Sequence, residues 1–236
     1  MIKHIRLALT AISFLFSLCA GAQEERVVGL VSLPEVFGNE PCQIFTPKPI
    51  SVYKEANERY LIGFINTTQN WTFPKEGGCL GLKVEFCPNL KSQKKAILPT
   101  LGYAYEREGA VVLEKKGKWV RIKTHLGSGW FLLSDRNKYF PIDSLLAQST
   151  SYLTDDWDEN IYDSPLGNSK KSELKHGSSV KILKSMNVNG AIWFQIKFPV
   201  ADNCGSTDTT IRPGIGWIPA HSKENRLTMW FNSGGC

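Results

Sequence analysis

A pattern of paired strands, each with a tryptophan, occurs twice in the chain and restricts its fold more than any other feature. The first copy reads VVLEKKGKWVRIKT followed by GSGWFLLS, and the second reads VKILKSMNVNGAIWFQIKF followed by GIGWIPAH. Apolar and polar residues alternate in both copies, as they do in half-buried antiparallel strands. No long stretch after residue 22 keeps the 3.6-residue apolar period of a helix. The sequence therefore predicts an all-β chain with an internal repeat.

The two copies differ in spacing, and the extra residues fall in turn-like sequence, where insertions are tolerated. We predict a first module over residues 23–146 that contains an insertion at about residues 66–110. A linker over residues 147–157 and a second module over residues 158–236 complete the predicted organisation.

The first 22 residues have the features of an export signal. Lys3 and Arg6 precede an apolar run, Leu7 to Leu18, that is too short to span a bilayer as a stop-transfer helix. Ala20-Gly21-Ala22 then supplies the small side chains that a signal peptidase requires. We expect residues 1–22 to be removed and the mature chain to be periplasmic or extracellular, with no transmembrane span.

Charge gives little support for a nucleic-acid partner. Removal of Lys3 and Arg6 lowers the formal net charge from +6 to +4. A nucleic-acid-binding protein would concentrate lysine and arginine in a dense stripe, whereas the basic clusters at 94–95 and 115–118 are short and have acidic neighbours. We interpret them as solvated turns and predict no nucleic-acid partner.

Five of the six cysteines follow the signal, and thiols of exported proteins usually pair. Cys79 and Cys87 bracket a segment that reads as one strand, so their Cα atoms would lie roughly 26 Å apart, beyond disulfide reach. Unless that segment folds back as a hairpin, Cys42 is the expected partner of one of them. A bond between Cys204 and Cys236 would anchor the C-terminus. The connectivity stays open, and one cysteine remains unpaired.

The order of the repeated features resembles the bacterial SH3 domain family: a tyrosine-containing strand, a variable loop, VxxL, W-hydrophobic-x-I and GW-hydrophobic. The first copy carries these features at Tyr53, Val111, Trp119, Ile122, Gly129 and Trp130. The second carries them at Tyr162, Val180, Trp193, Ile196, Gly216 and Trp217. The resemblance covers most of residues 48–134 and 158–220, although the long interruption in the first copy departs from the compact family pattern.

The resemblance implies two small five-stranded SH3-like barrels, the first with a long disulfide-bearing insertion. Such modules bind peptides, cell-wall peptidoglycan or protein partners in a shallow cleft lined by aromatic residues. Tyr53, Tyr162 and Trp157 precede or open the strands beside that cleft, so they are candidate ligand-binding residues, with packing or a place at the rim as the alternative. Four tryptophans are expected to lie in the core or in the groove: Trp119, Trp130, Trp193 and Trp217.

Catalytic and metal-binding motifs are missing from the sequence. Neither the Asp-Cys-Ser-Gly phrase of cysteine peptidases joined to such modules nor a Gly-x-Ser-x-Gly elbow occurs, and no Cys-x-x-Cys or His-x-x-x-His spacing presents zinc ligands. Asp156, Asp158 and Asn160 match the start of a calcium loop, but Ile161 and Gly167 stand where glycine and glutamate are needed. We predict no catalytic residue, metal or cofactor.

The sequence therefore predicts an exported, non-enzymatic protein that binds a peptide, peptidoglycan or a protein partner. One alternative is a structural or assembly factor that uses strand edges or a free cysteine to join partners. Another is a cell-wall hydrolase with an unrecognised site.

Overall fold

The structure is a computed structural model, and it describes residues 25–33, 49–67, 84–87, 96–104, 107–124, 127–201, 205, 207 and 209–231. Within these ranges the chain forms seventeen β-strands and one helix of 5 residues. The prediction of an all-β chain is confirmed. No helix in the described part is long and apolar enough to cross a membrane.

The first ten strands form one sheet whose paired strands are all antiparallel. They are β1 (Gly29–Val31), β2 (Ile50–Tyr53), β3 (Leu61–Thr67), β4 (Val84–Cys87), β5 (Ala96–Ile97), β6 (Thr100–Ala104), β7 (Arg107–Lys116), β8 (Trp119–Thr124), β9 (Gly127–Leu132) and β10 (Tyr139–Pro141). Their order is β10-β1-β7-β8-β9-β2-β3-β4-β5, and β6 pairs with β7. Helix α1 (Ile142–Leu146) follows β10.

The second sheet contains the remaining seven strands, again antiparallel. They are β11 (Ser151–Leu153), β12 (Asn160–Tyr162), β13 (Ser169–Lys171), β14 (Ser179–Val188), β15 (Ala191–Phe198), β16 (Gly214–Pro219) and β17 (Met229–Phe231). Their order is β13-β12-β16-β15-β14-β11-β17. Strand β11 lies within the predicted linker, residues 147–157, and belongs to this sheet.

Seven strands follow each other in the same order in both sheets: β10-β1-β7-β8-β9-β2-β3 in the first and β17-β11-β14-β15-β16-β12-β13 in the second. A bulge interrupts the long hairpin of each sheet, after Val112 in one and after Ile182 in the other. We call two residues equivalent when they occupy the same place in this shared register.

The shared register changes one predicted match between the copies. Ile122 and Ile196 are equivalent because they pair with the two repeat glycines, and their partners on the other side are Val112 and Ile182. Val180 lies two residues before Ile182, and Ala110 lies two residues before Val112, so Val180 is equivalent to Ala110. Val111, which the sequence pattern aligns with Val180, is instead equivalent to an exposed lysine, Lys181.

Neither sheet is a closed barrel within the described residues. The hydrogen-bonded path of each sheet ends at two different edge strands, and the sheets contain ten and seven strands. The expected small five-stranded SH3-like barrels are therefore not confirmed in the described part of the chain, and they stay a prediction. The extra strands β4, β5 and β6 of the first sheet lie within the predicted insertion at residues 66–110.

Two apolar clusters hold the fold together. The first lies on one side of the first sheet and includes Val52, Ile122 and Phe131. The second is larger and is continuous from the other side of β1 and β7, through α1, to the interior of the second sheet, where Phe194 and Ile218 are fully buried. The two sheets therefore share one core and pack against each other.

The segment before β1 also ties the sheets together. The Arg26 guanidinium donates to Asn225 Oδ1 at 2.7 Å, and His221 Nε2 lies 2.8 Å from the carbonyl oxygen of Val27. Because a carbonyl only accepts, His221 carries its hydrogen on Nε2.

Several predictions fall outside the described residues. The export signal at residues 1–22 and the cysteines Cys42, Cys79, Cys204 and Cys236 are among them. Cys87 is the last residue of β4, and its side chain is not described. The predicted disulfides therefore stay predictions.

Candidate functional site

Each sheet carries an aromatic pair at equivalent positions. Tyr53 and Trp119 meet edge to face, with ring centroids 5.7 Å apart and an interplanar angle of 84°. Tyr162 and Trp193 meet in the same way at 5.1 Å and 85°. Both pairs lie on the side of the sheet opposite to its buried strand residues, such as Ile122 in the first sheet and Ile196 in the second. The structure thus places four predicted site residues together in two matching pairs.

A glycine allows each tyrosine strand to approach the central hairpin. A Cβ atom on Gly129 would lie 2.4 Å from Val52 Cγ1, and one on Gly216 would lie 2.1 Å from Ile161 Cγ2. Any side chain at either position would overlap its neighbour, so the Gly-Trp order in both repeats follows from the close approach of two strands.

The tryptophan after each glycine lies opposite the tyrosine and is covered by a lysine. Trp130 pairs with Tyr53, and Lys116 Nζ lies 5.0 Å from its ring centroid. Trp217 pairs with Tyr162, and Lys184 Nζ lies 5.1 Å from its ring centroid. Both tryptophans are buried, so they are packing residues capped by cation–π contacts rather than exposed platforms.

We use two names for the surfaces around these aromatics. The first outer face consists of alternate residues of β8 and β9: Trp119, Arg121, Lys123, Ser128, Trp130 and Leu132. The second outer face consists of the equivalent residues of β15 and β16: Trp193, Gln195, Lys197, Ile215, Trp217 and Pro219.

Ion pairs cover the first outer face. Arg121 Nε lies 3.2 Å from Glu114 Oε2, and its Nη1 pairs with Glu25 from the segment before β1. Nη1 also donates to Ser128 Oγ at 3.1 Å. A hydrogen bond from Lys116, aided by the charges of Lys116 and Arg121, lowers the pKa of Glu114 despite some desolvation. The carboxylates on this face are therefore engaged in pairs.

The second outer face has no equivalent of this network among the described residues. Gln195 occupies the position of Arg121, Met186 that of Lys116, and Ile215 that of Ser128. Met186 is 44% exposed and Ile215 is 60% exposed. Apolar side chains thus reach solvent where the first face has charged and polar groups.

Trp193 has a buried hydrogen-bond donor with no acceptor among the residues that the structure describes. The residue is only 6% exposed, and its Nε1 is buried with no hydrogen-bond partner among the described residues. Most buried indole N–H groups are paired, and leaving one unpaired costs about 1–3 kcal/mol. Neighbouring Tyr162 is half-buried, and burial raises the pKa of its phenol, with a smaller contribution from Asp158. The second outer face therefore keeps an unused donor beside a protonated tyrosine.

Trp157 belongs to the core rather than to either face. Its side chain is 2% exposed, and its Nε1 donates to the carbonyl oxygen of Asn160 at 3.1 Å. A ring so enclosed has no surface for a ligand. The acidic residues around it in sequence give no sign of this burial.

Sequence reasoning missed Lys184, Met186 and Ile215, which distinguish the second outer face. They occur in ordinary strand sequence, and their importance emerges only when the two hairpins are aligned by register. In the described part of the chain, no group of three or more His, Cys, Asp or Glu side chains is arranged to hold a metal ion.

Known proteins provide no assignment for this site. No protein-family model, no curated protein and no solved structure matches the chain. The functional inference therefore depends on the geometry of the two outer faces.

Proposed function

We propose that the chain is an exported, non-enzymatic binding protein made of two SH3-like units, and that its second outer face binds an extended acidic peptide. The shared strand order and the equivalent Tyr–Trp pairs support a common origin of the two units. The resemblance to bacterial SH3 domains implies a small, strongly bent barrel in each unit.

The Nε1 of Trp193, which has no hydrogen-bond partner in the ranges that the structure describes, is the observation that carries the proposal. An extended peptide presents backbone carbonyl oxygens along its whole length, and one of them can accept from this indole. Met186, the residue opposite Trp193, is 44% exposed and has an unbranched side chain that adapts its conformation readily, so we propose that its movement gives the ligand access to the buried nitrogen. Met186 and Ile215 then contact apolar side chains of the ligand.

A peptide fits this face better than a sugar does. Sugars bind by stacking on exposed aromatic ring faces, but Lys184 covers Trp217, and Trp193 is buried. The ring surfaces available for stacking are therefore small. Where peptidoglycan is the natural target, its peptide rather than its glycan is the expected contact.

Charge favours acidic side chains in the ligand. Lys181 and Lys197 are exposed and directly opposite each other, and Lys184 lies on the same face. Like charges in a cross-strand pair destabilise a sheet slightly, and an anionic ligand removes that repulsion. Binding should consequently weaken as salt concentration rises.

Use of free strand edges for assembly receives less support. The edge strand β13 is exposed along its length and carries Lys170 and Lys171. Lysines on an edge discourage the addition of another strand.

The proposal is tested with the Trp193→Phe variant, which removes the indole N–H but keeps an aromatic ring. Trp119→Phe, at the equivalent place in the first sheet, is the matched control. Binding of the mature protein is measured on an array of extended peptides of varied acidity and on insoluble peptidoglycan. We expect acidic peptides to bind the wild type and the control, and affinity to fall about tenfold in Trp193→Phe, the usual worth of one hydrogen bond.

Equal affinity of the two variants would contradict the proposal, as would binding that shows no preference for acidic peptides. Sedimentation with peptidoglycan identifies the cell wall as the source of the peptide. Peptide binding without sedimentation identifies a protein partner.

A further inference from the structure

We propose that one end of the first sheet docks on a phospholipid bilayer through its anionic headgroups. This basic end consists of the turn between β7 and β8 and the segment between β9 and β10. Five exposed cations lie there: Lys115, Lys116, Lys118, Arg136 and Lys138. The surface lies apart from the second outer face and uses different residues, so it does not rest on the proposed peptide binding.

Contacts between the two segments hold the cations together. The backbone N–H of Leu133 donates to the carbonyl oxygen of Lys118 at 2.8 Å, and Lys118 Nζ lies 3.9 Å from Asp135 Oδ1. Lys115 Nζ lies 5.6 Å from the ring centroid of Tyr139, the first residue of β10. Cations that are separate in sequence therefore form one cluster in space, and clusters of four or more lysines and arginines are typical of surfaces that bind anionic lipids.

The basic end has a net positive charge within the described residues. Its five cations are accompanied by two carboxylates, Glu114 and Asp135, which leaves a formal charge of +3. Arg121 and Glu25 extend the ion-pair network of Glu114 and cancel each other. The mature chain has a formal charge of +4, so most of its excess positive charge lies at this end.

The other contacts of these lysines leave their charge in place. Lys115 Nζ donates to the carbonyl oxygen of Gly117 at 2.7 Å, and Lys138 Nζ lies 5.2 Å from the ring centroid of Phe140. A carbonyl oxygen or an aromatic ring orients an ammonium group but carries no formal charge that would neutralise it. Anionic headgroups therefore supply charges that the basic end lacks.

The aromatic rings at this end favour a lipid surface over a nucleic acid. Lysine ammonium groups cover Tyr139, Trp130 and Phe140 at 5.0 to 5.6 Å from the ring centroids. Single-stranded nucleic acids bind by stacking their bases on such rings, and the ammonium groups occupy that place. A bilayer needs no ring surface, because each lysine or arginine near anionic lipids strengthens binding about fivefold through charge alone.

The shape of the turn suits approach to a flat surface. Gly117, at its tip, has a φ of 57°, and a Cβ atom there would meet no other atom within 4 Å. Lys115 and Lys116 point to opposite sides of the sheet, as successive strand residues do. Leu132 pairs with Trp119 beside this turn and is 41% exposed, so an apolar side chain lies next to the cations. Basic and apolar groups side by side are what the bilayer interface accommodates.

Cosedimentation of the mature protein with vesicles tests the docking surface. One set of vesicles contains equal parts of phosphatidylglycerol and phosphatidylcholine, and the other contains phosphatidylcholine alone. We expect binding to the anionic vesicles at low ionic strength and little binding to the neutral ones. Salt at 1 M shortens the screening length to about 3 Å and should release the protein.

A triple variant localises the binding. Lys118→Gln, Arg136→Gln and Lys138→Gln together remove three exposed cations, and we expect affinity for anionic vesicles to fall about a hundredfold. The opposite change is expected from Asp135→Asn, which removes a fully exposed carboxylate and should strengthen binding about fivefold. Misfolding cannot produce such a gain.

The matched control removes the same charge elsewhere. Lys170→Gln, Lys175→Gln and Lys223→Gln change three exposed lysines in the second half of the chain, and vesicle binding should stay within a few fold of the wild type. Equal losses in the two triple variants would overturn the proposal, as would equal binding to neutral and anionic vesicles. Binding to single-stranded DNA without binding to vesicles would also overturn it and identify a nucleic acid as the partner.

The two proposals of binding fail independently. Trp193→Phe should leave vesicle binding unchanged, because the basic end contains no residue of the second sheet. The triple variant at the basic end should leave the affinity for the acidic peptide unchanged. Loss of vesicle binding alone therefore refutes the docking surface and leaves the peptide site standing.

Discussion

In the first sheet β7 is buried on both sides, whereas the equivalent strand of the second sheet, β14, is buried on one. Val112 of β7 lies in the cluster of its own sheet, while Val111 and Leu113 lie in the core shared with the other half. In β14, Lys181 and Leu183 occupy the places of Val111 and Leu113, and both are exposed. The two sheets therefore share one strand order but differ in burial. In the first sheet β7 is covered on both sides, whereas in the second sheet one side of β14 is exposed to solvent.

The two outer faces also differ in how fully their polar groups are paired. Arg121, Glu114 and Glu25 close the first face with ion pairs. On the second face, Gln195 takes the position of Arg121, and the buried Trp193 donor has no partner within the described part of the chain. The half whose central strand is buried on both sides therefore has the more completely satisfied outer face, and the face that we propose to bind a ligand belongs to the other half.

The largest expected effect comes from truncating Leu113, the bulge residue of the first long hairpin. The same truncation of the equivalent residue Leu183 is the comparison. Leu113→Ala removes a buried side chain from the shared core and should lower the free energy of unfolding by about 2–5 kcal/mol. Leu183 is 45% exposed, so Leu183→Ala should change it by less than about 0.5 kcal/mol. Urea unfolding of the mature protein measures both values. Similar losses in the two variants would disprove the contrast between the sheets.

A smaller effect is expected from the titration of His221, which joins the second sheet to the segment before β1. Burial lowers the pKa of His221 below its usual 6.5, and the charge of Arg26 lowers it further, although the hydrogen bond to Val27 opposes both. The unfolded chain then binds a proton more readily than the folded one. The contribution of His221 to the free energy of unfolding is fully present above pH 6.5. It is lost as the pH drops from 6.5 towards the lowered pKa, by less than about 1.4 kcal/mol per pH unit.

His221→Gln isolates this contribution, because glutamine keeps an N–H donor and does not titrate. The variant should lose stability less steeply than the wild type between pH 6.5 and pH 5 in urea unfolding. At pH 8 the slopes of the two proteins should agree. A wild type and a variant with parallel pH profiles throughout would show that His221 stays uncoupled from folding.

The smallest expected effect comes from converting the first outer face towards the second. Arg121→Gln removes an ion-pair network that is partly exposed, so stability should fall by no more than about 1 kcal/mol. The indole of Trp130 should become more accessible to acrylamide, because Arg121 lies 6.0 Å from its ring centroid. Unchanged quenching of tryptophan fluorescence would mean that the network does not cover this ring.

Much of this fold is predictable from local sequence. Alternation of polar and apolar residues predicts the central hairpins, and the Gly-Trp pairs mark the places where Gly129 and Gly216 admit a neighbouring strand. The match of Val111 with Val180 fails because a bulge in each long hairpin gives the strand an extra residue, and alternation alone does not fix register across a bulge.

Features that depend on how the two sheets meet are not predictable in this way. Trp157 follows two aspartates and reads as a surface residue, but it is enclosed by the shared core. Lys123 and Asn225 come from opposite halves of the chain, so nothing local in sequence predicts that both line a cleft between the two sheets. The repeat identifies Tyr53 and Tyr162 as candidates, but their contacts with Trp119 and Trp193 and the open character of the second outer face depend on neighbours in space.

Acetylation of lysines in the presence and absence of a bound acidic peptide tests the central claim most directly. The two outer faces offer matched reporters, since Lys123 and Lys197 are equivalent, and Lys116 and Lys184 each cover a tryptophan. The account predicts that the peptide slows acetylation of Lys184 and Lys197 and leaves Lys116 and Lys123 unaffected. Equal protection of both pairs, or protection of the first pair alone, would contradict it.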